Sequence, residues 1–234
     1  MKKLITLGIS LFIVGCSIFR APVSRREPEI KKQLMDQLEM YHQFKAIGIV
    51  NLSLKNLEMK SNFVLIKKEN KLRFDVLEGG LLGLSPTPKA QVLNRDSLQI
   101  FIPHNNVVHQ AEALNFFSEN YVQRISNAEI KQEENNKYSV LIEGDLKIIL
   151  NRKNLHIHKI IFGDFALEFL KYKKKFPRTI DVFKNNNLVL KMSFEKWSFE
   201  KISDDIFVVD YPEDVLKNKV SLEQVFSKGE INWK

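Results

Sequence analysis

The sequence predicts an α+β, mainly β fold: one strongly curved antiparallel sheet of about eleven strands, an incomplete barrel, with helices covering its concave face. Three observations carry that expectation. From Lys45 onward apolar and polar residues alternate at period two, the spacing of a strand with one buried face. Turn signals at Glu69-Asn70, Arg95-Asp96, Gly144-Asp145 and Asn185-Asn186-Asn187 separate the alternating runs by short gaps. Two segments replace the alternation with apolar residues at helical spacing. A sheet of that size twists and curls, and striped helices need a surface to cover.

The first helix is expected from Glu27 to Phe44. Pro28 suits its first turn, where a missing N–H costs nothing. Ile30, Leu34, Leu38 and Tyr41 share one face, with Met35 beside them. A strand follows over Ile47, Ile49, Leu52 and Leu54, and a phase change near Asn51 reads as a bulge. Next come Ser61–Lys68 and Lys71–Glu78, the latter placing Leu72, Phe74 and Val76 opposite Lys71, Arg73 and Asp75. Lys89–Asn94, Ser97–Pro103 and a short Val107–Gln110 complete the first meander. A second helix is expected over Glu112–Ser126, striped by Leu114, Phe117, Tyr121 and Ile125. The meander then resumes at Tyr138–Glu143, Leu146–Asn151, Leu155–Phe162, Ala166–Lys173, Thr179–Lys184 and Leu188–Phe199. A further extended stretch at Asp205–Tyr211 precedes a short closing helix at Val220–Ser227. No shift in composition marks a second domain.

The N-terminus carries a different signal. Lys2 and Lys3 precede an apolar run from Leu4 to Val14, too short to span a bilayer core about 30 Å thick. Ile13-Val14-Gly15-Cys16 resembles a bacterial lipobox, and Cys16 is the chain's single cysteine. Residues 1–15 therefore read as a lipoprotein signal peptide and Cys16 as the lipid attachment site, carrying palmitate-type acyl chains. Two or more such chains anchor stably where one is marginal. Residues 16–28 read as a lipidated tether, and 29–234 as the domain. Ser17 rather than Asp follows the cysteine, which by analogy with enteric bacteria favours the outer membrane, with the domain facing the periplasm.

The chain has 36 basic and 28 acidic residues, a formal charge of +8. Outside the cytoplasm, and with no basic motif interleaved with aromatics, nucleic acid is not an expected partner. The densest positive run, Lys171 to Arg178, reads as a solvated turn or a contact with anionic headgroups. His156 and His158 share a strand face by spacing, yet no acidic residue or further histidine is near in sequence, and no metal site is expected. Nucleophile-elbow, zinc-protease, P-loop and dinucleotide motifs are absent from the sequence, so neither catalysis nor a cofactor is expected.

Several segments together resemble the LolA/LolB family of lipoprotein carriers, and most of all its lipid-anchored outer-membrane branch, LolB. They are the lipobox, the N-terminal helix leading into Phe44-Lys45-Ala46-Ile47-Gly48, and the strand Lys71-Leu72-Arg73-Phe74-Asp75-Val76 with the Gly/Leu-rich loop after it. The mid-chain helix, Pro177-Arg178-Thr179-Ile180 and Leu190 to Trp197 complete the pattern. The resemblance implies a helix-capped incomplete barrel whose apolar cavity receives lipoprotein acyl chains, a chaperone-like role in protein transport. It also implies a periplasmic carrier protein as a partner of a monomeric receiver.

By alternation the lining comprises Leu72, Phe74, Val76, Ile100, Ile148, Phe194 and Trp197, with Leu34, Leu38, Phe117 and Tyr121 from the helices. In the loop Gly79 to Pro86, Leu81, Leu82 and Leu84 either insert into the membrane, as the resemblance implies, or fold inward and plug the barrel. An envelope lipid or lipophilic-ligand binder, and a non-enzymatic structural lipoprotein binding a protein partner, are the alternative functions.

Overall fold

The computed structural model describes residues 26–54, 57–78, 87–113, 121–142 and 146–221. The signal peptide, Cys16, most of the tether, Leu81, Leu82, Leu84, Phe117 and the Gly144-Asp145 turn fall outside these residues, as does the closing helix beyond residue 221. The described chain forms two α-helices, α1 (Glu27–Met40) and α2 (Tyr121–Asn127). Its strands begin with β1 (Gln43–Leu54), β2 (Leu57–Lys68), β3 (Lys71–Glu78), β4 (Thr87–Asn94), β5 (Ser97–Ile102) and β6 (Val107–Glu112). After α2 come β7 (Glu129–Glu133), β8 (Lys137–Ile142), β9 (Leu146–Asn151), β10 (Ile157–Phe162), β11 (Phe165–Leu170), β12 (Thr179–Lys184) and β13 (Asn187–Ser198), and finally β14 (Leu216–Lys219).

All fourteen strands form one open, curled sheet in the order β14-β6-β5-β4-β3-β2-β1-β13-β12-β11-β10-β9-β8-β7. The sheet is two meanders, β1 to β6 and β7 to β13, joined where β1 pairs antiparallel with β13. β14 alone lies parallel to its neighbour, β6. The mainly β, curled-sheet expectation therefore stands, but fourteen strands replace about eleven.

The added strands have a physical explanation. β7 (Glu-Ile-Lys-Gln-Glu) and β14 (Leu-Lys-Asn-Lys) are the two edges, and all of β14 is exposed. An edge strand needs ladder hydrogen bonds more than apolar side chains, and charge there discourages further pairing. Neither segment carries an alternation to read.

Other boundaries moved for local reasons. α1 stops at Met40, and Phe44 is already in β1, paired with Lys67. Glu112 is not helical but ends β6 opposite Ser97, so the second helix is described only from Tyr121. β10 starts after Leu155, which has φ +55°, and β11 stops before Lys171, with φ +52°. Asp205–Tyr211 is not a strand: Asp204–Phe207 forms a 3-10 turn that lays Ile202 and Phe207 on Ile66 and Leu93. Asp204 meets Lys71 at 2.8 Å and Lys68 at 3.2 Å. This segment crosses the outer face as a strap instead of adding to the sheet. At Val220 the expected closing helix is preceded by strand-like pairing, its N–H donating to the Gln110 carbonyl. Asn185 and Asn186, both at positive φ, make the expected β12–β13 turn.

The register break in the β1–β13 pairing lies opposite Ile47/Gly48, where Glu195 is the extra residue on β13, and β1 carries no bulge near Asn51. The apparent phase change has another origin. Phe44, Ala46 and Val50 bury on the inner face, while Val64 and Ile66 of the adjoining strand pack beneath the strap on the outer face. With apolar side chains required on both faces, the period-two signal blurs. At Gly48 any Cβ would overlap the Ser193 carbonyl oxygen. Phe63 and Phe194, its partners on either side, fill the gap edge to face at 5.4 Å.

Gly48→Ala is expected to cost about 3 kcal/mol by forcing the two strands apart. Gly163→Ala has no neighbour within 4 Å of its new Cβ and only a positive φ of +52° to oppose it. It should cost about 1 kcal/mol. Urea midpoints of the two variants check the order, and equal losses would mean that the β1–β13 contact is not tight.

Candidate functional site

The inner face is the one on which α1 packs. Strand register lays its side chains in rows across the sheet. One row runs Ala90, Val76, Phe63, Gly48, Phe194. Another runs Val140, Ile148, Ile160, Leu167, Val182, Leu190, Leu52. Every member of the second row is apolar, across seven strands. Such a surface is far wider than one helix stripe, and α1 fully buries only Ile30 and Leu34 on it.

The two ends of the curled sheet differ. We call the end holding the Glu69-Asn70 turn and the start of β1 the base, and the end holding the β10–β11 and β12–β13 turns the rim. At the base, aromatic rings stack into a layer. Phe194 lies 4.5 Å from Trp197, and Trp197 lies 5.1 Å from Phe44, 5.6 Å from Phe176 and 6.0 Å from Tyr41. Phe74 joins through Phe63 at 5.5 Å. Phe176 reaches the layer because Lys173 and Phe176 pair backbone to backbone, turning the Lys171–Arg178 connection inward. Its lysines stay exposed, which matches the solvated-turn reading. Toward the rim the apolar rows continue, and Phe162 is 47% exposed.

Polar contacts hold α1 over this surface. The Gln37 amide nitrogen donates to the Leu155 carbonyl at 2.7 Å, and its oxygen accepts from the Ile157 N–H at 3.2 Å. Lys31 donates to the Ser126 carbonyl at the end of α2, 2.8 Å away, so the N-terminal half of α1 lies toward the rim. The Tyr172 hydroxyl donates to the Ile157 carbonyl at 2.6 Å, and burial pushes both the Tyr172 and Tyr41 phenols well above their ordinary range.

The residues expected to line a cavity mostly meet. Leu34, Leu38, Phe74, Val76, Ile148, Phe194 and Trp197 share one cluster. Leu72 lies on the same face at the base, in a row with Lys67 and Phe44. Ile100 instead packs with Ile102 and Val92 in a separate cluster. The Tyr121 side chain, like Phe117, lies outside the description. Sequence reasoning passed over Phe63, 1% exposed at the centre of the layer, although its alternation with Leu65 was visible. Gln37 carried no signal, because a lone amide on a helix reads as solvated.

His156 and His158 do not share a regular face, because the register shifts between Ile157 and Lys159 and leaves His158 as the extra residue. The His156 ring stacks on Tyr172 at 4.4 Å, and burial lowers the pKa of both histidines. Among the described residues no group of three metal-ligating side chains occurs. A cleft of about 270 Å³ beside Phe207 and Tyr211 belongs to the outer face, under the strap.

What these elements define is a curled antiparallel sheet whose apolar inner face is partly covered by one helix and layered with aromatics at one end. No protein-family model matches the sequence, and no characterised protein matches it in sequence. Solved structures share the fold. A domain described as an outer-membrane lipoprotein-sorting protein from Vibrio parahaemolyticus is 10% identical with a TM-score of 0.50, covering 78% of this chain and 97% of that one. A DUF1329-family protein from Desulfovibrio piger is 7% identical with a TM-score of 0.51, covering 79% and 98%. A LolA superfamily protein from Nitrosomonas europaea is 10% identical with a TM-score of 0.49, covering 75% and 97%. At such identities the likeness is one of fold.

Lys67 provides a test of burial on the inner face. Its ammonium donates to the Glu69 carbonyl at 2.7 Å, and burial lowers its pKa to about 8 against the opposing pull of Glu39 and Glu69. The unfolded lysine titrates near 10.4. Between those values the unfolded chain binds the extra proton, so this group makes stability rise with pH. Urea midpoints should climb from pH 8 to 9.5, below the range where the tyrosines titrate, and Lys67→Met should flatten the climb. An identical profile in the variant would remove Lys67 from the buried set.

Proposed function

We propose that this chain is a lipid-anchored envelope protein that binds acyl chains on the inner face of the sheet, receives lipoproteins and inserts them into the outer membrane. One observation carries the reading: the inner face is apolar from the aromatic base to the rim, with an unbroken apolar row across seven strands. Burial of an alkyl chain contributes about 0.8 kcal/mol per CH₂, so the site requires no chemistry and the role is non-catalytic. The lipobox-like segment supplies the anchor through Cys16, and the fold shared with a lipoprotein-sorting domain supports the same reading. Release is driven by the bilayer, a competing apolar phase.

The full chain purified from its host membrane in mild detergent should yield bound acyl lipid in native mass spectrometry. Phe63→Asp and Leu34→Asp should each reduce that lipid severalfold. A ligand-free protein would overturn the reading. Labelled palmitate should enter the chain and be lost in Cys16→Ser. Depletion should mislocalise other lipoproteins, which separates a carrier from a general lipid binder. Replacing Leu81, Leu82 and Leu84 together by Ser should block delivery while leaving uptake intact; unchanged delivery would remove that loop from the mechanism.

A further inference from the structure

The apolar surface of this domain does not stop at the inner face. Among the described residues, Phe162 is 47% exposed and Leu188 40%, and both sit at the rim. They belong to neighbouring hairpins, β10–β11 and β12–β13, whose strands meet where Phe165 pairs with Lys184. Register puts Phe162 on the inner side of the sheet, opposite Leu146 and Phe165, and Leu188 on the outer side, opposite Phe183. The two side chains thus straddle the sheet at its edge, a geometry that suits a planar apolar phase rather than a groove. The Lys184 ammonium stands 5.6 Å over the Phe165 ring, while the Lys159 ammonium, 5.9 Å over Phe183, is paired with Glu168 at 2.9 Å. Such lysines lay their stems along apolar surface and hold the charge at the polar boundary. Asp164 and the asparagines at 185 and 186 occupy the turns themselves.

The base differs in charge: Phe199 is 44% exposed there but packs on Phe176 at 4.7 Å, and lysines surround it. Its Lys171–Arg178 connection presents Lys171, Lys173, Lys174, Lys175 and Arg178 to solvent. The N-terminal half of α1, and with it the point where the preceding 25 residues join the domain, lies toward the rim.

We propose that the β10–β11 and β12–β13 hairpin tips form a bilayer-docking surface, with Phe162 and Leu188 entering the headgroup–acyl boundary and Lys184 at headgroup level. The proposal rests on the lipid-anchored reading in one respect: nine residues lie between Cys16 and Arg26, and the span reaches at most about 35 Å. A tether of that length joined on the rim side keeps the rim near the membrane, and the lysine-rich base is farther away by the length of the helix. The occupant is the lipid surface itself, which the apolar, edge-on geometry fits.

Full-length Cys16→Ser protein, carrying an environment-sensitive dye on a single new cysteine, tests this. Three probes are made, Phe162→Cys, Leu188→Cys and Lys174→Cys, each mixed with phosphatidylethanolamine–phosphatidylglycerol vesicles containing a lipid-borne quencher. The apolar leader delivers all three equally, so only position differs. Dyes at 162 and 188 should shift to the blue and be quenched severalfold more than the dye at 174. Equal quenching at all three sites, or quenching at 174 alone, would overturn the proposal. A blue shift at 162 and 188 before vesicles are added would overturn it as well, because the chain itself would then cover the rim. Acyl-lipid binding, read separately by mass spectrometry on unlabelled protein, can hold or fail independently of any of these outcomes.

Discussion

The antiparallel pairing of β1 with β13 is the contact on which the sheet depends. Seven strands lie on either side; all but β14 are built from local hairpins, and this pairing joins the two sets into one surface. Its partners are far apart in sequence, so closing it carries a loop-entropy cost that hairpins avoid. What offsets that cost is concentrated at one place. The bulge opposite Ile47/Gly48 strengthens the local twist, and the missing side chain lets the backbones approach. Phe63 and Phe194 close over the gap from both sides, so the seam of the sheet is also the centre of the inner core.

From the seam outward the protein divides its burial between two faces. The inner core takes up α1 and the aromatic layer, while the outer face of β2 to β5 is covered by the strap after β13. Beneath the strap Arg73 holds Asp75 at 2.9 Å, reaches the Ile206 carbonyl at 2.7 Å, and leaves Asp75 to accept from Gln91 at 3.2 Å. Polar groups buried there are joined to one another and to the strap backbone, which ties the covering segment to a defined position without a strand ladder. The central strands are therefore double-sided, and the outer strands are not.

That division explains what could be read in the sequence. β3, β9 and β12 were legible to the residue because alternation and flanking turns agree there. β1 was legible as a strand, but the bulge expected in it belongs to its partner β13: apolar Ile47 and Ile49 on the half-buried face hid the phase, and Gly48 looked like any glycine. β7 and β14 were invisible because edges are held by the backbone. The strap read as a strand, but Asp204–Phe207 is a 3-10 turn, and the choice between pairing and crossing is made by Ile66 and Leu93, more than a hundred residues upstream. Of the site, the apolar lining was largely legible from period two, whereas Phe176 and Gln37 act through tertiary contacts that no local pattern encodes.

The same asymmetry bears on how an apolar inner face would work at a membrane on the proposed reading. A surface that binds alkyl chains strongly and permanently is a sink, so a carrier must offer contacts comparable with those of its destination. Here the deepest part of the inner face is already occupied by its own side chains: Leu34, Val140 and Leu150 are fully buried, and Phe63 nearly so. An incoming chain on the proposed reading would exchange with those contacts rather than fill empty space, which lowers its net gain below the full transfer value. Near the rim the apolar residues are less covered, and gain per methylene is highest where exit is shortest. A gradient of that sign favours shallow occupancy beside the bilayer over deep trapping at the aromatic base, and it arises from the packing of β1, β2 and β13 rather than from any single binding residue.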